Sequence, residues 1–237
     1  YFKTSKKIKL YAARNFALKK AKGELVTFLD VDDWWNEKFL SSRKKFFLSS
    51  KKYGFSFSNC FHYYENLKKF ESFYNKKLPS GYILNHLLRY YFVKLSTIIL
   101  KRELLKNYKY NKYYNIIGDY DLIIKVSKKF KGMGFQDKLV NIRIHRYNFT
   151  HNNRKMFYKE FKNWINDQNF NNYLFKKNKN FLFLKLEYLR LIYLLMEDKN
   201  FGLLIDIFKF PKFFFKMKLL IIFFVPGFLL RLKKEYF

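Results

Sequence analysis

The segment ELVTFLDVDDWW, residues 24 to 35, joins an apolar run of single-strand length to three carboxylates, Asp30, Asp32 and Asp33. Helical patterns stand on both sides of it. Upstream, LYAARNFALKKA puts Ala13, Phe16 and Ala17 on one stripe, with Gly23 placed to end the helix. Downstream, NEKFLSSRKKFFLSSKK offers Phe39, Leu40, Phe46 and Phe47 as a buried face and Asn36 as a cap. A strand entered and left through amphipathic helices buries both faces only in a layered α/β arrangement.

The pattern continues. YGFSFSN, from residue 53, alternates like a strand, and residues 60 to 80 read as a polar, aromatic loop ending in the turn LPSG. YILNHLLRYYF returns to a helix, VKLSTIILK (93 to 101) is a β-branched strand, and NIIGDYDLIIKVSKKF opens an amphipathic helix near Asp119. A strand at 138 to 144 leads into HRYNFTHNN. An α/β domain is therefore expected over residues 1 to 150, followed by a mostly helical extension over 151 to 237. The longest uncharged apolar stretch there, 219 to 230, is shorter than the roughly 20 residues a span needs and is interrupted by Pro226 and Gly227. It is expected to lie on a membrane rather than cross one.

Composition narrows the function classes. With 49% apolar and 23% aromatic residues the chain is not of the disordered type, despite a net charge of +31. At 237 residues it fits one large domain, or one domain with an appendage. Its lysines are spread along the whole length among Asn, Phe, Tyr and Ile, as AT-rich codon usage produces. No nucleic-acid partner is expected, whereas attraction to an anionic membrane surface is. A single cysteine, Cys60, excludes an internal disulfide framework and a multi-cysteine zinc site, which fits a reducing cytoplasm. The chain starts at Tyr1 without a secretory signal pattern and reads as a fragment whose beginning is missing.

Three acids in a chain this basic require compensation. If strand geometry persists, Asp30 and Asp32 point the same way, roughly 7 Å apart, at the carboxyl end of a strand where open α/β sheets bind ligands. Crowded carboxylates raise each other's pKa unless a cation is near, and hard divalent ions favour oxygen ligands. An Asp-x-Asp by itself arises often by chance: Asp32 or Asp33 would equally cap the next helix, and Asp30 would equally pair with a lysine.

The wider context is more specific. ARNFALKKAKGELVTFLDVDDWW closely resembles the family 2 glycosyltransferases of the GT-A fold, with their Ala-Arg-Asn helix, Lys-Gly-Glu turn, apolar strand and Leu-Asp-x-Asp-Asp. LPSGYILNHLL with STIILKRELL, then IIGDYDLIIKVSKKF, then IRIHRYNFT, are similar to later blocks of bacterial members that build surface polysaccharides, so the likeness runs from about residue 12 to 150. The resemblance implies a strand, a Pro-Thr-Tyr-Asn-like turn and a helix before the present start, roughly 30 residues or more. The fold expected is thus a GT-A sandwich without its first βα portion.

The same resemblance implies roles. Arg14 and Asn15 match positions near the nucleotide, Asp30 the carboxylate on the ribose, and Asp32 the ligand of Mn²⁺ or Mg²⁺ at the sugar-nucleotide diphosphate. Asp33 falls to a supporting position or a helix cap. Asp119 matches the base that activates the acceptor, in a pattern usually Glu-Asp, where Gly118 replaces the Glu. Asp121 is left to the helix N-terminus. Arg143 and His145 resemble an Arg-x-His near the diphosphate. Cys60, His62, His86 and His151 read as structural. The implied activity is inverting transfer from a nucleotide sugar to a glycan or lipid-linked acceptor, by a cytoplasmic enzyme peripheral to the inner face of the cytoplasmic membrane. A non-catalytic scaffold of a glycan assembly is the first alternative, and a basic nucleic-acid binder the second.

Overall fold

The helix around Ala-Arg-Asn forms as α1, Leu10–Lys20, in a computed structural model that describes residues 6–225. It buries Tyr11 and Arg14, whereas Ala17, expected inside, is exposed, and it ends at Lys20, ahead of Gly23. The arginine inverts the expected face because its charge is matched within the fold. The next helix, α2 (Lys38–Ser49), repeats this: Phe39, Arg43 and Phe47 are buried and Leu40 is exposed. Asn36 lies just before it, and its Oδ1 accepts from the Lys38 N–H at 3.0 Å. Arg43 is admitted to the interior by an ion pair with Asp137 and by the Phe135 ring, 4.0 Å from its guanidinium.

Two compact units divide the chain, Tyr1–Ile144 and His145–Phe237. The first unit holds β1 (Leu25–Thr27), β2 (Trp34–Trp35), β3 (Tyr53–Ser58), β4 (Phe61–Tyr64), β5 (Lys69–Ser72), α3 (Leu84–Arg89) and β6 (Ile99–Lys101). After these come α4 (Leu104–Asn107), α5 (Gly118–Ser127), β7 (Lys131–Phe135) and β8 (Val140–Ile144). One sheet has the order β1-β6-β3-β7 and the other β2-β8-β4-β5. Pairs β3/β7 and β4/β8 are parallel and the rest antiparallel. Phe39, Phe47, Cys60, Ile99 and Val140 form a core cluster.

Three local expectations change. Residues 60 to 80 contain the hairpin β4/β5 instead of a loop, held by cross-strand aromatic pairs such as Tyr63 and Phe70, 4.8 Å between centroids. The run 93 to 101 is a strand only over Ile99–Lys101. Leu95–Thr97 is a 3₁₀ turn in which the Thr97 hydroxyl donates to the Lys94 carbonyl at 2.7 Å, a local bond that competes with the ladder. A strand no pattern announced, β7, contains Gly132 and Gly134. A Cβ on Gly132 would stand 2.5 Å from the Phe55 ring, so packing excludes a side chain there.

The second unit is helical: α6 (Phe149–Asn152), α7 (Arg154–Asn166), α8 (Tyr173–Glu197), α9 (Gly202–Lys209) and α10 (Phe213–Phe224). Leu191 and Leu195 pack with Leu203, Ile207, Leu219 and Ile222. Among the described residues no helix is long and apolar enough to cross a membrane. Of the apolar stretch 219 to 230, the part with Pro226 and Gly227 lies outside the described residues.

Candidate active site

The acid segment is a turn rather than a continued strand. β1 stops at Thr27, and the Asp33 N–H donates to the Asp30 carbonyl at 3.1 Å, which carries Val31 into solvent. The alternation that would have aligned Asp30 with Asp32 therefore ends before either residue.

The cation that compensates Asp30 is Arg14, which also reaches Asp119. Its Nη2 donates to Asp30 Oδ1 at 2.8 Å, and its Nη1 to Asp119 Oδ1 at 2.8 Å and Oδ2 at 3.1 Å. One guanidinium thus joins the turn after β1 to the first turn of α5. Around it stand the rings of Tyr11, Phe28 and Tyr110, with centroids 5.2, 5.7 and 5.8 Å away. Burial pushes Asp119 up to about 6, against the pull of Arg14, and Asp30 is likewise raised by burial, with Arg14 lowering it and Asp32 raising it.

Asp33 is tied to the protein on both oxygens. The Ser96 hydroxyl donates to Oδ2 at 2.6 Å and the Arg143 N–H to Oδ1 at 3.1 Å, while burial pushes its carboxyl up to about 6. Ser96 also accepts from the Asp30 N–H at 3.3 Å, so this residue fixes both ends of the turn. Because β2 pairs with β8, Arg143 is delivered beside the acids: its Nε donates to the Asp32 carbonyl at 3.3 Å, its Nη1 to Glu65 at 2.8 Å, and it lies over Trp34.

Asn15 faces another way. Its amide donates to the Tyr110 carbonyl at 2.9 Å and accepts from the Tyr110 N–H at 3.0 Å, which anchors the loop carrying Tyr110 to α1. His145 is the first residue of the second unit, where its Nδ1 accepts from the Tyr147 N–H at 3.2 Å and its own N–H donates to Asn148 at 2.7 Å. Asp121 is buried in an ion pair with Lys125 at 2.6 Å. Sequence reasoning missed Tyr11, Ser96 and Tyr110. The one signal available for Tyr11 was the glycine at 118.

That glycine has a steric cause. A Cβ at position 118 would meet the Tyr11 ring at 2.5 Å, while the Tyr11 hydroxyl donates to the Ile116 carbonyl at 2.8 Å. Gly118→Ala is expected to cost about 2 kcal/mol by overpacking. Most of that loss should vanish in a Tyr11→Ala background, measured as a double-mutant cycle in urea. Equal costs in both backgrounds would show that the ring does not set the glycine.

Among the described residues no group of three or more His, Cys, Asp or Glu is arranged to hold a metal ion by itself. An ion of the Mg²⁺ type needs no such cage, since one or two carboxylates suffice when phosphate oxygens complete its shell. The half-buried carboxylate of Asp32, in a turn of hard oxygen donors, fits that chemistry.

Acids gathered at the carboxyl end of a strand, with a further carboxylate at a helix start, lie where open α/β sheets bind ligands. Residues 1–111 match Glycosyl transferase family 2. That match covers 111 of the 237 residues, the same part of the chain whose motifs resemble the family. A curated relative, the UDP-Glc:alpha-D-GlcNAc-diphosphoundecaprenol beta-1,3-glucosyltransferase WfaP of Escherichia coli, is 33% identical over 117 residues, 49% of this chain and 44% of that protein. The chain thus spans less than half the length of that relative. Among solved structures, S. aureus TarS 1-349 aligns at TM-score 0.46 and 15% identity over 82% of this chain and 56% of its own. The same protein in complex with UDP-GlcNAc aligns at 0.46 and 13%, over 84% and 56%.

Proposed function

We propose that the protein transfers a sugar, with inversion, from a nucleoside-diphosphate sugar to a hydroxyl of a glycan or lipid-linked acceptor in surface-polysaccharide synthesis. Residues 1 to 150 supply the transferase part and 151 to 237 a helical extension. The observation that carries this reading is the Arg14 guanidinium shared between Asp30 and Asp119. It brings the two carboxylates to which the proposal gives the donor and acceptor roles to one group, which supports holding both substrates close together.

In this reading Asp119 takes the proton from the acceptor hydroxyl as it attacks the anomeric carbon. A carboxyl pushed up to about 6 is a better base than an ordinary aspartate and is still ionised at neutral pH. Asp30 receives the ribose. Arg14 and Asn15 border the nucleotide while holding Asp30, Asp119 and the Tyr110 loop in place, and Arg143 and His145 serve the diphosphate. Asp32 would hold Mn²⁺ or Mg²⁺ together with the diphosphate oxygens, and the ion would supply positive charge against the departing nucleoside diphosphate. The protein works in the cytoplasm, peripheral to the inner face of the cytoplasmic membrane.

The test is turnover of radiolabelled nucleotide sugar by the full-length protein, with calorimetry of donor binding alongside. Chelation, or Asp32→Ala, is expected to lower transfer about 100-fold. Full activity of Asp32→Ala in chelator would remove the metal from the proposal. Donor binding with no turnover under any condition would favour the scaffold reading.

A further inference from the structure

Helices α9 and α10 are apolar on two opposite faces. Leu203 and Ile207 of α9, and Leu219 and Ile222 of α10, are buried within the second unit. The other face of the α9 segment presents Phe201, Ile205 and Phe208, spaced four and three apart and therefore on one stripe. On α10 the outward stripe is Phe213, Met217, Ile221 and Phe224, flanked by Phe214. Phe201 and Phe213 are 82% and 76% exposed, values that leave nearly a whole phenyl ring in water.

The two stripes approach each other at the open end of the hairpin. Phe201 lies 6.3 Å from Phe223, which lies 5.1 Å from Phe224. At about 200 Å² for a full aromatic side chain, the five outward Phe alone expose roughly 700 Å². The largest apolar patch of an ordinary monomer is about 300 to 600 Å².

Charge selects the occupant. Between residues 201 and 225 stand Lys209, Lys212, Lys216 and Lys218, and the only acid, Asp206, is paired with Arg190 at 2.6 Å. A second copy on this face would bring two lysine sets together, whereas an anionic lipid surface complements them. With 8 and 12 residues, neither helix approaches the roughly 20 needed to cross a bilayer. Such a hairpin lies in the plane of the interface.

We propose that the α9/α10 hairpin is a membrane wedge, its outward phenylalanines entering the acyl boundary of an anionic leaflet and its lysines meeting the headgroups. The proposal rests on the peripheral location given above and names the surface responsible, independently of the transfer chemistry.

Flotation of the full-length protein with phosphatidylcholine vesicles, with and without roughly a third phosphatidylglycerol, tests it. The wild type is expected to float with the anionic vesicles, and Phe208→Ser/Phe213→Ser/Phe224→Ser to partition at least about tenfold less, with unchanged circular dichroism and melting. Lys209→Gln/Lys212→Gln/Lys216→Gln should lose the preference for phosphatidylglycerol. If the wild type floats with neither vesicle, the peripheral location itself falls. If it floats and the phenylalanine variant floats equally, only the wedge falls. Vesicle-free oligomers that the phenylalanine variant dissolves, with no flotation of the wild type, would assign the face to self-association and overturn the proposal.

Discussion

Asp119→Asn is expected to lower sugar transfer by the full-length protein about 1,000-fold while donor affinity stays within about threefold. The substitution keeps an oxygen for the Arg14 guanidinium, 2.8 Å away, and removes the basic lone pair. Because burial pushes Asp119 up to about 6, the wild-type kcat/KM should fall roughly tenfold per pH unit below that value, and the residual rate of the variant should lack this limb. The stability sign runs opposite to the activity. A carboxyl whose folded pKa lies above its unfolded value of about 4 binds its proton more tightly in the folded state, so stability falls as pH rises from about 4 to 6. Asn carries no such penalty, and the variant should melt no lower than the wild type at pH 7. An active variant would move the base elsewhere, and an inactive variant that also melts lower would reduce Asp119 to a structural residue.

Arg14→Gln is expected to act on both stability and the pH profile. Arg14 is 8% exposed and lowers the pKa of both Asp30 and Asp119, so without it two neighbouring carboxylates lose their common cation. The acid limb of the profile should move up by at least about one unit, and transfer lost at pH 7 should recover partly at higher pH. A loss of about 2 kcal/mol in folding free energy is expected, discounted because the Asp30 side chain is 47% exposed. A limb that stays in place would show that the guanidinium does not tune the base, whatever happens to stability.

Legibility followed the range of the interaction. α1 and α5 were found as helices because helical spacing acts within a few positions, although the face that α1 buries was not. The acid trio and Asp119 were singled out through the motifs that carry the family resemblance. β7 was not found, since its glycines suit the rings of Phe55 and Phe57 rather than any strand preference. The β4/β5 hairpin was missed because aromatic residues on half-exposed strands do not alternate cleanly. Tyr11 escaped notice for a related reason: its ring is required by an absence of side chain at Gly118, 107 positions away in the sequence.

The chain's order of residues determined by itself the α/β class of the first part, the helical character of the second and the family resemblance that the match over residues 1–111 shares, because periodicity and motif are properties of neighbours in sequence. Only the tertiary structure decided how the acids are compensated. That Arg14, among 49 Lys and Arg, stands between Asp30 and Asp119 depends on α1, the turn after β1 and the start of α5 converging in space, which no local pattern encodes.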